Sequence, residues 1–205
     1  MMELVAVAII TILAVISPGA DFAMVTRNSY LYGRRAGLLA AVGIALGVQV
    51  HVTYTMMGIG FIISHSKFLF SAIKIVGAIY LIYIGYKTFF TKIQLDIDLT
   101  SSVGISPFGA LRTGFLTNAL NPKTTLFVVS TYTQVVNPST PLSLQIAYGL
   151  FMSFAHWAWF SLVALFFSNV TLREVMLSKQ TILNKTIGGI LIGLGGALAF
   201  SPMIS

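Results

Sequence analysis

Two short stretches hold most of the residues able to do chemistry in this chain. One reads Ile16-Ser17-Pro18-Gly19-Ala20-Asp21-Phe22, the other Thr117-Asn118-Ala119-Leu120-Asn121-Pro122-Lys123-Thr124-Thr125. Each sets a proline and an ionisable side chain inside an apolar run. Proline lacks the backbone donor of a helical turn and clashes with the carbonyl four residues back, so it kinks or opens a helix. Gly19 gives the backbone beside Pro18 further freedom. In hydrocarbon the freed carbonyls need protein partners or a water-filled cavity. A charge at that depth costs at least ~2.5–3.5 kcal/mol and is normally paired or placed on a pathway. Asp21 and Lys123 are therefore expected to face each other or one cavity. Ser17, Asn118 and Asn121 add uncharged donors and acceptors at the same level. This set suits recognition of a small charged solute or carriage of a proton. An ion pair that only fixes packing would use the same two charges.

Two histidines form a second group. His51, beside Gln49, and His156 each fall midway along an apolar segment. Histidine titrates near neutrality, so a pair at matched depth can relay or accept protons. Hydrogen bonding between helices is the alternative use. His65 falls in a link. The chain has no cysteine, which excludes disulfides and thiolate metal sites. No spacing of His, Asp and Glu resembles a metal site, and no nucleophile–base constellation is spelled out. No catalytic residue, metal or cofactor is expected.

The elements that must position these residues follow from composition. Of 205 residues, 57% are apolar and 8% charged, far from the balance of a water-soluble domain. Six hydrophobic stretches can be drawn, about 4–32, 36–63, 68–90, 107–136, 142–169 and 182–203. They predict an all-α membrane protein of six spans, with the first and fourth broken at Pro18 and Pro122. Arg27, Arg34, Arg35, Lys87, Lys92, Arg112, Arg173, Lys179 and Lys185 flank links one, three and five, against Lys67 and Lys74 at link two. Those odd links are expected in the cytoplasm and both termini outside. The net charge of +7 is thus read as topological, and no nucleic-acid partner is expected.

Sliding the chain by 104 positions lays Pro18 on Pro122 and the second stretch on the fifth. Three spans per half is an odd number, so the halves must be inverted. One transport domain over 1–205 is expected, with repeats at about 1–92 and 105–203 and a cytoplasmic linker at about 91–107. Inverted repeats with matched broken helices point to a secondary transporter. Gly43-x-x-x-Gly47 and Gly189-x-x-x-Gly193-x-x-x-Ala197 are close-approach faces for the bundle or for a homodimer. An exporter of ions or another small solute is the runner-up. A membrane-embedded enzyme lacks its constellation, and a purely structural protein leaves the midplane charges without a purpose.

Four motifs carry a family resemblance. Ser17-Pro18-Gly19-Ala20-Asp21-Phe22-Ala23-Met24-Val25 resembles the first-helix motif of the lysine-exporter and homoserine–threonine-exporter (LysE/RhtB) family, with Ala20 where that family usually has a second proline. Leu120-Asn121-Pro122-Lys123 is similar to its Asn-Pro-Lys motif. Gly33-Arg34-Arg35-Ala36-Gly37 and the segment from Gly77 to Gly85 match its first loop and third helix. The resemblance covers essentially the whole chain. It implies export of amino acids or close derivatives across the bacterial inner membrane, driven by protons.

Overall fold

A computed structural model describes residues 2–65, 67–90, 104–137 and 139–199. The described residues form seven α-helices and no strand: α1 (Met2–Ile16), α2 (Ala20–His65), α3 (Lys67–Phe90), α4 (Pro107–Ala119), α5 (Pro122–Gln134), α6 (Leu142–Phe167) and α7 (Val170–Ala199). The proposed linker, for the most part, and the last six residues lie outside the described residues.

Both expected breaks are present. α1 stops at Ile16 and α2 begins at Ala20, leaving Ser17, Pro18 and Gly19 outside either helix. The second break leaves Leu120 and Asn121 between α4 and α5. There Asn121 caps α5, its Oδ1 accepting from the Lys123 amide at 3.0 Å, and Pro122 takes the first helical position, where its missing N–H costs nothing. α4 starts in the same way: the Ser106 hydroxyl accepts from the Gly109 amide at 3.0 Å and Pro107 follows.

α2 is two arms rather than one rod. At Gly33 the backbone has φ 79° and ψ 176°, a region essentially reserved for glycine. Gly37 packs against the Ser29 side chain, so the arms 20–32 and 34–65 fold back on each other. The link expected between the first two apolar stretches is therefore one residue long. The sixth stretch also differs. Its helix begins at Val170 rather than near Ile182. Hydropathy marks only the apolar part, and with no proline or glycine between 170 and 187 nothing stops the helix within the polar turns before it.

Two helical segments are long and apolar enough to cross a membrane, Ala20–Gly58 and Leu142–Phe167, and shorter apolar helices run over Glu3–Ile16 and Ile75–Phe90. Large apolar side chains are exposed on every helix but α5. α5 is the interior element. It buries Thr124, Phe127, Val128, Ser130, Thr131, Tyr132 and Thr133, and it carries Lys123.

Three apolar clusters pack the bundle, the first built in part from α5. Val7, Ile10, Ala14, Val48, Val52, Phe127, Val128, Tyr132, Val136, Tyr148 and Met152 join α1, α2, α5 and α6. Phe22, Val25, Ala40, Ala41, Ile44, Phe160, Val163, Ala164 and Phe167 join both arms of α2 to α6. Ile84, Ile187 and Leu191 join α3 to α7. α2 and α4 meet backbone to backbone: Gly43 faces the Leu111 carbonyl and Phe115 amide, and Gly114 faces the Ala40 main chain. The Gly43–Gly47 face thus serves the bundle. Among the described residues outside their own helical turns, nothing lies within 4 Å of where a Cβ would stand on Gly189 or Gly193.

Candidate functional site

The two breaks meet, and each is braced by the other. Lys123, from the second break, donates its Nζ to the Ser17 carbonyl of the first at 2.5 Å. Asp21, from the first, accepts from Asn118 Nδ2 of the second, Nδ2 to Oδ2 at 2.8 Å. The same amide nitrogen lies 3.2 Å from Thr124 Oγ1. With Lys123 and Asp21 ionised, both bonds are charge-assisted and roughly twice as strong as neutral ones. Asp21 is 6% exposed, and its Oδ1 has no hydrogen-bond partner. A buried acceptor left unsatisfied costs ~1–3 kcal/mol or more, so this carboxylate is set up to receive a donor.

A cavity lies between the breaks. Ser17, Gly19, Asp21, Asn121, Lys123 and Thr124 form its polar side, and Ala14, Val15, Phe22, Phe127, His156 and Phe160 its apolar side. The sequence expectation that both charges address one cavity is met in this geometry, each with its own partner. The free volume is about 20 Å³, room for a water molecule and far less than an amino acid fills.

A family profile described as LysE type translocator matches residues 12–201. The chain belongs to that family. It is 33% identical over 205 residues to the uncharacterized membrane protein YrhP of Bacillus subtilis (strain 168), covering 95% of this chain and 97% of that one. It is 27% identical over 177 residues to a threonine efflux protein of Salmonella typhimurium, covering 85% and 86%. A leucine efflux protein of the same organism is 29% identical over 131 residues, covering 63% and 61%. No solved structure matches the chain.

In this LysE-type translocator the remaining candidate residues divide. Pro18 and Pro122 make the breaks without lining the cavity. His156 is buried in the cavity wall, its Nδ1 2.7 Å from the Met152 carbonyl of its own helix and its ring near Phe127 and Phe160. His51 is fully buried on α2, bonded to the Asn118 carbonyl and the Tyr54 hydroxyl. The two imidazoles occupy separate environments. Gln49 lies away from the cavity; its Nε2 donates to the Gly149 carbonyl at 3.0 Å and to Ser153 Oγ at 2.5 Å, tying α2 to α6.

Sequence reasoning missed Thr124, Thr88 and the aromatic wall. Thr88 Oγ1 lies 2.6 Å from Ser17 Oγ, joining α3 to the first break. Threonine in an apolar helix commonly bonds its own backbone four residues back, as Thr131 does to the Phe127 carbonyl at 2.9 Å. Its type alone therefore gives no site signal. Among the described residues no group of three or more His, Asp or Glu side chains could hold a metal.

Proposed function

We propose that this protein is a secondary transporter that exports amino acids or close derivatives from the cytoplasm in exchange for protons. One observation carries the reading: a buried carboxylate with a free acceptor oxygen and a lysine ammonium share one cavity between two helix breaks. A zwitterion crossing hydrocarbon requires both signs in its path. Asp21 takes the substrate ammonium, assisted by the carbonyl end of α1. Lys123 takes the carboxylate, assisted by the amide end of α5. Ser17, Gly19, Asn121 and Thr124 complete the polar wall, and Asn118 holds Asp21. The names of the threonine and leucine efflux relatives support the same substrate class.

Coupling follows from competition. A proton and an ammonium both neutralise the Asp21 carboxylate, so the site holds one or the other on each passage. Substrate binding also replaces the cross-bond from Lys123 to Ser17 and so releases one brace between the breaks, while Asn118 still holds Asp21. His156, in the wall, is a second place for a proton.

The architecture proposed with this function is six spans. They are α1 with the first arm of α2, the second arm of α2, α3, α4 with α5, α6, and α7. Residues 1–92 and 105–203 are inverted repeats of one domain, with the linker at 91–107 and the basic links in the cytoplasm and both termini outside. Breaks 104 residues apart, outward-facing apolar side chains and the basic links support it. The protein then sits in the bacterial inner membrane, in contact with lipid. A homodimer through the open Gly189–Gly193 face belongs to the same reading.

The test is efflux from cells overproducing the protein, loaded in turn with each amino acid and with homoserine lactones. Export of at least one amino acid, abolished by collapsing the proton gradient, is expected. Efflux of inorganic ions or another solute with no amino acid moved would establish the runner-up.

A further inference from the structure

His51 does not line the cavity, yet both its ring nitrogens are engaged. Nε2 lies 2.8 Å from the Asn118 carbonyl oxygen, and Nδ1 lies 2.7 Å from the Tyr54 hydroxyl and 3.3 Å from the Thr125 hydroxyl. A carbonyl oxygen only accepts, so Nε2 carries the proton. In the neutral ring Nδ1 is then the acceptor and a hydroxyl donates to it. Every polar position of the neutral imidazole is satisfied.

The carbonyl it holds is the one the break disturbs. Four residues beyond Asn118 stands Pro122, which has no N–H to give, and a 2.8 Å bond from the Asn121 amide closes a tighter turn instead. One turn before His51 on the same helix, Gly47 presses on the same residue. A Cβ there would lie 2.9 Å from Asn118 Cβ and Oδ1 and 3.0 Å from the Ala119 amide. The main chain and side chain of Asn118 are thus both seated on the turn of α2 from Gly47 to His51. From that seat Asn118 Nδ2 reaches Asp21 at 2.8 Å.

We propose that His51 is a positioning residue: a neutral, fixed donor that pins the end of α4 and aims the Asn118 amide at the Asp21 carboxylate. It governs binding at Asp21 without touching the substrate and without carrying the coupling proton. The inference rests on Asp21 being the ammonium site.

Two substitutions separate the roles. His51→Gln keeps an amide donor near the place of Nε2 and cannot titrate; His51→Leu removes the donor. Efflux is scored per inserted molecule, so loss of abundance divides out. Loss of the aimed bond to a charged acceptor should raise KM about tenfold in His51→Leu, with His51→Gln within about threefold of wild type. In an Asn118→Ala background, adding His51→Leu should change KM by less than about twofold, because its route of action is already gone. Equal damage from Gln and Leu, or additive effects with Asn118→Ala, overturns the proposal.

A second readout needs no transport. In ¹⁵N-histidine protein, with the His51 signals assigned by their loss in His51→Gln, Nε2 should be protonated and Nδ1 bare at neutral pH. A doubly protonated ring or the opposite tautomer overturns it. Should the wild type export no amino acid, the transport reading falls while the nitrogen spectrum still decides whether His51 is the fixed donor.

Discussion

Adding one methyl group at Gly114 should weaken substrate binding at a site the glycine does not touch. A Cβ there would stand 2.8 Å from both the Cα and the carbonyl carbon of Ala40, where carbon–carbon contacts normally lie at roughly 3.5–4.0 Å. The Ala40 carbonyl oxygen stands closer still, and the obstacle is main chain inside a helix with no rotamer to swing aside, so α4 must retreat from α2 by at least about 0.7–1.2 Å. Asn118 lies one turn further along α4. Its bond to Asp21, now 2.8 Å, would lengthen to roughly 3.5–4.0 Å, where it is no longer a hydrogen bond. Such a bond to a charged group is worth ~1.5–3 kcal/mol. Its loss corresponds to a rise in KM of about tenfold to 150-fold.

The assay is initial efflux rate against internal amino-acid concentration, divided by inserted protein. Overpacking also costs stability, ~1–3 kcal/mol, so abundance will fall somewhat in Gly114→Ala. Gly58→Ala is the control, since nothing among the described residues outside its own helical turns lies within 4 Å of its added Cβ; it should keep wild-type KM. The double variant Gly43→Ala/Gly114→Ala should cost less than the two singles together, because helices already parted accept the second methyl easily. Wild-type KM in Gly114→Ala would refute the link from helix approach to the site.

Three further outcomes are expected. Gly33→Asn should destabilise the protein as much as Gly33→Ala, ~1–3 kcal/mol by thermal unfolding in detergent, because φ 79° with ψ 176° lies outside the left-handed helical region that asparagine tolerates. Asp21→Asn/Lys123→Gln should insert at normal abundance and fail to export, since each charge has its own protein partner; export near the wild-type rate would reduce the pair to scaffolding. Cysteine introduced at Ser205 in this cysteine-free chain should react with an impermeant thiol reagent added outside, and labelling only from the cytoplasm would reverse the topology.

The breaks were legible because proline and a charge inside an apolar run each carry a steep cost that only a specific environment relieves. That Asp21 and Lys123 share one cavity followed from the same costs. Their cross-bracing was not legible. Lys123 bonds the Ser17 carbonyl, and backbone acceptors leave no mark in a sequence. The Gly43–Gly47 stripe was visible as a close-approach face, but its partner, α4, is set by tertiary packing that the stripe does not encode. Gln49 stood out for its polarity; its amide bonds α2 to α6, and it also lines a second cavity with Val52, Met56 and Leu142. Polarity in an apolar helix reports a need for partners, and a neighbouring helix satisfies that need as well as a substrate does.

The aromatic walls of the cavity are also the inner edges of two apolar clusters. Phe127 belongs to the cluster of α1, α2, α5 and α6, whereas Phe22 and Phe160 belong to the cluster formed by the α2 arms and α6. With about 20 Å³ between them, neither cluster can part without exposing apolar surface to whatever enters. Alternating access requires the site to open to one side at a time; if each cluster seals one side, the residue of it that lines the cavity is the first residue of that seal. Enlarging one seal should therefore trap the site on that side. Phe127→Trp is expected to slow export while leaving substrate binding from the opposite side within about threefold of wild type, by the overpacking cost of a well-filled cluster. Phe160→Trp is expected to do the reverse. The measurement is protection of a cysteine at Asn121 from impermeant reagents on each face of the membrane. If both variants close the same face, the two clusters do not seal opposite ends, and the cavity opens by some other route.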